Sequence, residues 1–206
     1  MVIAPRRMSK RAIHKLLQER AGKVARFLSD AVARQQELPG RDYTEGEAHL
    51  YLGQLYPLQL LNPDGRRDSV QLCQGRLQIK AVDHSPQVIE KRLSAWYVKQ
   101  AGLHFRGRLE TIAKRASWTG GITPPLRLRK MKSTWGTCSA KGVITLNKKL
   151  IKAPEACIDY VIAHELCHLK EMNHGSAFYQ LMDSLYPEWR LVRAELQADA
   201  HRYLQE

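Results

Sequence analysis

The chain has 206 residues, 44% of them apolar and 26% charged, the balance of an ordinary globular protein and not of a low-complexity or fibrous one. Lys and Arg number 33 against 20 Asp and Glu, for a net charge of +13. No window approaches the ~18 uninterrupted apolar residues that a membrane span needs, so no membrane association is expected.

The first element is predicted as a helix from Ser9 to Leu38. Ile13, Leu16, Leu17, Val24, Phe27, Leu28 and Val32 recur at three- and four-residue steps, and Pro39-Gly40 ends the run. Arg6, Arg7, Lys10 and Arg11 precede it, but charged residues break every apolar stretch that follows. An export signal is therefore not expected. Residues 51–82 change character: short apolar runs are split by Asn62-Pro63-Asp64-Gly65 and Gln74-Gly75, which reads as a small antiparallel meander. Pro57 fits that meander only at an edge or a bulge.

Ser85-Pro86 opens a long amphipathic helix carrying Val88, Ile89, Leu93, Trp96 and Tyr97, with an interruption expected at Gly102 and helical spacing resuming through Ala116. Gly120-Gly121 and Pro124-Pro125 mark a loop. Leu126 to Leu150 reads as a hairpin, with a slip of phase at Lys130 that suggests a bulge. Ala153 to Asn173 is predicted as a helix started by Pro154 and Glu155. A helix from Ser176 to Tyr186 follows, and a last one runs from Pro187 to about Leu204. The expected organisation is an N-terminal helical extension (1–40), a meander with a long basic helix (41–122), and a C-terminal core (123–206) that forms one compact unit with the segment before it.

The chemical signal lies in His164-Glu165-Leu166-Cys167-His168. On a helix of 3.6 residues per turn the two histidines share a face and can hold one metal ion, and Glu165 is placed to reach a water on that metal. A catalytic zinc takes three protein ligands and leaves one position open. His174 is the preferred third ligand. On a straight helix it would lie about 15 Å along the axis from His164, so the helix must end near Met172–Asn173 and let the chain turn back. Glu171, about 10 Å up the axis, and Glu188, on the last helix, are the rival ligands. Zn2+ is the expected cofactor, although manganese or nickel can occupy such a donor set. Tyr179, Lys132, Trp135 and His201 are candidates for supporting or substrate-contacting roles.

The charge adds a second signal. Residues 91–152 hold 15 basic residues and one acid, Glu110, so the whole excess of positive charge sits in that segment. It is either a solvated basic face or a site for an anionic partner such as a nucleotide or nucleic acid. Cys73, Cys138, Cys157 and Cys167 form no CxxC pair, which suits reduced thiols in a cytoplasm.

Three blocks carry a family resemblance: Lys132-Ser133-Thr134-Trp135-Gly136-Thr137-Cys138-Ser139, then Gly142-Val143-Ile144-Thr145-Leu146-Asn147, then Ile158 through Leu169 with Asn173-His174 and Phe178. Over about residues 50–205 the chain resembles the YgjP-like metallopeptidases, relatives of the SprT-like and WLM zinc proteases. The resemblance implies an α+β fold with a minimal zincin-like core: a short antiparallel sheet packed on an active-site helix, with a C-terminal helical cap. It also implies His164, His168 and His174 as zinc ligands and Glu165 as catalytic base. The family commonly has Arg where this chain has Thr134, so any contact made by that Arg is in question. Three readings of function follow: a cytoplasmic peptidase acting on peptides or proteins; a nucleotide phosphohydrolase or pyrophosphohydrolase on the same site; and a protease module associated with DNA.

Overall fold

The computed structural model describes residues 41–63, 65 and 68–204. The expected helix Ser9–Leu38 lies outside the described residues. The fold is α+β. Strands β1 (Ala48–Tyr51), β2 (Gln54–Leu61), β3 (Ser69–Cys73) and β4 (Arg76–Lys80) precede the long helix α1 (Pro86–Ala113). Strands β5 (Leu126–Arg129), β6 (Gly136–Cys138) and β7 (Ile144–Asn147) follow. Then come helices α2 (Glu155–Cys167), α3 (Ser176–Leu185), α4 (Trp189–Ala198) and α5 (Ala200–Leu204). Asp42–Glu206 forms one compact unit.

The first sheet corrects the expected meander. Its order is β1-β2-β4-β3, with β2 parallel to β4 and both outer pairs antiparallel. The two hairpins close through Leu52-Gly53 and Gln74-Gly75, each with both residues at positive φ, the mirror-image turn that matches strand twist. Pro57 sits opposite Ala48 of β1, one residue before β2 begins to pair with β4 at Leu58, so its missing N–H interrupts no β2–β4 hydrogen bond.

The second sheet repeats the arrangement and corrects the single hairpin expected over Leu126–Leu150. Its order is β5-β7-β6, with β5 parallel to β7 and only β6–β7 a hairpin. In both sheets the last strand slots between the two strands that precede it in sequence. Alternation of side chains is identical in a meander and in this layout, so periodicity cannot distinguish them. The insertion leaves β6 with one unpaired edge among the described residues, and that edge matters below.

Helix α1 runs unbroken through Gly102, contrary to the expected interruption. Ile89, Leu93, Tyr97, Ala101, Phe105 and Leu109 form a buried stripe at every fourth position, and this packing outweighs the ~1 kcal/mol that a glycine costs inside a helix. The stripe lies against α2, which is buried on nearly every face: Cys157, Ile158, Val161, Ile162, Ala163, Leu166 and Cys167 are all within the core. Arg108 of α1 ties the pair, donating from Nε to Asp159 Oδ1 at 2.7 Å.

Three contacts fix where α2 begins and ends. Leu52 and Gly53 donate to the carbonyls of Ile151 and Lys152 at 2.9 and 3.0 Å, joining the β1–β2 turn to the 3-10 turn Lys148–Lys152 before the helix. At the far end the Trp118 indole N–H donates to the Leu166 carbonyl at 2.9 Å, satisfying one of the last carbonyls of the helix. The helix stops at Cys167, earlier than the predicted Asn173, because the N–H groups of Leu169 and Lys170 turn back to the carbonyls of Leu166 and Cys167 in a tighter winding. The predicted last helix is likewise divided, into α4 and α5 at Asp199.

Candidate metal centre

The early end of α2 lets His174 return to the helix. His164 and His168 project from one face of α2 and its final turn, and residues 168–173 fold back to bring His174 beside them. The ring nitrogens of the three histidines lie within 4.8 Å of one another. The Nε2–Nε2 distances are 3.2 Å from His164 to His168 and 3.0 Å from His164 to His174. Three nitrogens tetrahedrally disposed at ordinary Zn–N distances of about 2.0–2.1 Å stand about 3.3 Å apart. The separations observed are close to that value, so the donor set fits a single small divalent cation such as zinc.

The protonation of His168 supports the fit. Its Nδ1 lies 2.9 Å from the backbone carbonyl of Glu171. A carbonyl oxygen only accepts, so Nδ1 carries the proton and Nε2 presents a lone pair toward the other two rings. Such a carbonyl partner also fixes the ring plane, as expected of a metal-bound imidazole. Burial and the neighbouring rings push the His164 imidazole down to about 3, so it is neutral at any ordinary pH. His174 is lowered in the same direction. Phe178 of α3 packs its ring 4.7–4.9 Å from all three imidazoles and buttresses the cluster from one side.

Glu165 follows His164 on α2 and is buried, 4% exposed. Its Oε2 has no hydrogen-bond partner among the described residues, and burial alone pushes the carboxyl up to about 8. An orphaned carboxylate beside a metal-ready cluster is costly to the fold and useful to chemistry. β6 runs directly over it. A Cβ built on Gly136 would lie 2.7 Å from Glu165 Oε1 and 2.8 Å from its Cγ, closer than atoms can approach. Only glycine at 136 allows the strand and the carboxylate to occupy this space.

The remaining candidates are distributed unevenly. Tyr179 lines the cleft, with its ring stacked on Trp189 at 5.3 Å. Trp135 is half-buried and packs edge-on against Tyr203, a structural contact. Lys132 is exposed in the loop before β6. Glu171 contributes its backbone carbonyl to His168 but its carboxylate is not in the converging group, nor is Glu188 or His201. The residues that sequence spacing did not single out are Tyr160, Arg193 and Gln197, which line a cavity of about 240 Å³ together with His164 and His174. Tyr160 precedes His164 by one helical turn. Arg193 and Gln197 follow Trp189 at four-residue steps on α4, a stripe visible in the sequence once the helix is known to face the cleft.

Three cations of the basic segment are engaged within the fold. Arg92 pairs with Asp68, Arg108 with Asp159 and Glu155, and Arg115 donates to the Leu185 carbonyl. A separate cavity of about 200 Å³, bordered by Tyr97, Lys148 and Lys152, contains none of the three histidines.

The sequence matches the family described as YgjP-like, metallopeptidase domain, over residues 1–199. The chain belongs to that family. The match begins at residue 1, so the N-terminal segment falls within the family and not outside it as the motif blocks alone suggest. Two crystal structures of metallopeptidase zymogens are similar. Abylysin of Pyrococcus abyssi is 26% identical, covering 46% of this chain and 92% of that one at a TM-score of 0.41. Jannalysin of Methanocaldococcus jannaschii is 22% identical, covering 47% and 96%, also at 0.41. Among curated proteins, the UTP pyrophosphatase of Escherichia coli (strain K12) is 39% identical over 54 residues, 26% of this chain. The match spans about a third, 32%, of that relative's length. No helix among the described residues is long and apolar enough to cross a membrane.

Proposed function

We propose that this protein is a cytoplasmic zinc peptidase in which His164, His168 and His174 hold the metal and Glu165 is the general base. The observation that carries this reading is the position of β6: an unpaired strand edge runs over a buried carboxylate, beside three converging imidazoles. An extended peptide can add to such an edge by backbone pairing, which aligns one of its carbonyls with the centre. When bound, zinc supplies a water acidic enough to act at neutral pH and polarises the scissile carbonyl.

The protein's own groups then have defined tasks. His168 is held in its ligand tautomer by the Glu171 carbonyl. Glu165 takes a proton from the attacking water as its oxygen bonds to the carbonyl carbon, and returns that proton to the departing amine nitrogen when the C–N bond breaks. Burial raises the proton affinity of Glu165 in the metal-free protein, and the positive charge of a bound zinc would lower it again toward the ionised form that a base requires. Phe178 and the aromatic pair Tyr179–Trp189 limit water access on the α3–α4 side.

A second reading has its own support. The curated relative is a UTP pyrophosphatase, and a cationic side chain, Arg193, lines the cavity beside the metal cluster. On this reading the same zinc and Glu165 direct water at a phosphorus atom. Incubating the zinc-loaded protein with an unstructured casein-like protein and with a panel of nucleoside triphosphates separates the two. New peptide termini support the first reading, and released pyrophosphate or phosphate supports the second. Glu165→Gln abolishes either activity while zinc stays bound; retained activity in that variant contradicts both.

A further inference from the structure

Arg193 stands out among the arginines near the centre. Arg190, three residues earlier on α4, is already engaged: it pairs with Asp183 at 2.6 Å and lies over the Trp189 ring. Arg193 has no carboxylate partner among the described residues, yet it faces the cavity that opens on His164 and His174. Gln197, one turn further along α4, lines the same cavity and offers an amide that can donate alongside the guanidinium.

A cation placed next to a dication is electrostatically costly unless something negative comes between or beside them. The cavity, about 240 Å³, is large enough for a carboxylate or phosphate group with a few attached atoms and is walled by the stacked Tyr179–Trp189 pair. A guanidinium presents paired N–H donors that match two oxygens of either group. We propose that Arg193 and Gln197 form an oxyanion-binding subsite beside the metal centre, which holds a carboxylate or phosphate of the substrate adjacent to the bond that is cleaved. This rests on the three histidines being the metal site. It deepens the functional reading by naming the substrate's chemistry: the preferred substrate carries a negative group on the α4 side of the scissile bond.

The test uses the full-length, zinc-loaded Glu165→Gln protein, which binds without cleaving, and compares it with the Glu165→Gln/Arg193→Gln double variant by titration calorimetry. The probes are UTP, inorganic pyrophosphate, and a pair of short peptides that differ only in a free or amidated C-terminal carboxylate. Loss of the guanidinium weakens at least one anionic probe by about tenfold or more, while the amidated peptide and the zinc content are unchanged. Arg193→Lys restores part of the affinity. Loss confined to UTP and pyrophosphate assigns the anion as phosphate; loss confined to the free-carboxylate peptide assigns it as carboxylate. Equal affinity of both proteins for every anionic probe, no binding of any anionic probe by the parent, or an equal loss for the amidated peptide overturns the proposal. The functional reading fails separately: a native protein that binds zinc and these anions but cleaves nothing keeps the subsite and loses the hydrolase.

Discussion

Replacing Glu165 by Gln removes the proposed catalytic base and also relieves the fold of a buried acid, so the same substitution is expected to abolish activity and stabilise the zinc-free protein. The carboxyl is 4% exposed, its Oε2 is unpartnered, and its folded value lies at about 8 against 4.5 in an unfolded chain. Between those values the native state holds a proton that the unfolded state has released. Stability is therefore fully present below pH 4.5 and declines as pH rises toward 8, by about 1.4 kcal/mol per unit. At pH 7 the deficit is on the order of 3 kcal/mol, and at pH 8 on the order of 5 kcal/mol. Gln has no such proton to hold. His164, depressed to about 3 from 6.5, acts in the opposite sense: its contribution is present above pH 6.5 and is lost as pH falls toward 3. For the native zinc-free protein the two effects give a plateau between about pH 4.5 and 6.5, with a decline on each side. In the variant the alkaline decline disappears and the acid one persists. Urea unfolding of chelator-treated protein across pH 4–8 reads this directly. Parallel stability profiles for the two proteins above pH 6.5 would refute the claim that Glu165 is buried without a partner.

Four further outcomes follow from the geometry. Gly136→Ala places a methyl group 2.7 Å from Glu165 Oε1, so it is expected to displace the carboxylate or β6; hydrolytic activity falls sharply while zinc content is unchanged, checked by metal analysis beside the activity assay. His174→Ala leaves two ring nitrogens in the cluster, and zinc affinity measured against a competing chelator drops by orders of magnitude with little change in the circular dichroism spectrum. Gly53 has a φ of 80° and would bring a Cβ to 2.8 Å from Pro154 Cγ, so Gly53→Ala lowers the urea midpoint through a loss of about 1–3 kcal/mol. Arg108→Ala strips the two-point contact from Asp159, whose side chain is 13% exposed, and is expected to cost about 2 kcal/mol at pH 7 by the same measurement.

The elements that position the centre were legible in the sequence to different degrees. The imidazole pair and Glu165 follow from helical spacing alone, and the need for a break before His174 follows from the rise per residue. Where the break falls did not: Trp118 supplies a donor to the Leu166 carbonyl from 48 residues away, and no local pattern announces such a tertiary contact. The same limit explains Gly102, whose low helix propensity is outweighed by a buried stripe that continues past it. Strand order was not legible because alternation reports which face is buried and says nothing of which neighbour pairs. Pairing Leu126 with Ile144 in parallel, with β6 on the other side of β7, gives the same side-chain pattern as one hairpin. Arg193 was hidden for a different reason. Its role depends on α4 packing beside α2, and a lone arginine on an amphipathic helix reads as a solvated one until that packing is known.

The proposed activity requires three imidazoles converging on one metal ion. X-ray absorption spectroscopy on the zinc-loaded protein measures that arrangement most directly. The expected spectrum has three imidazole nitrogens and one oxygen at about 2.0–2.1 Å from one zinc per chain, with one imidazole lost in His174→Ala. A first shell containing sulfur, or fewer than three imidazoles in the native protein, would contradict it.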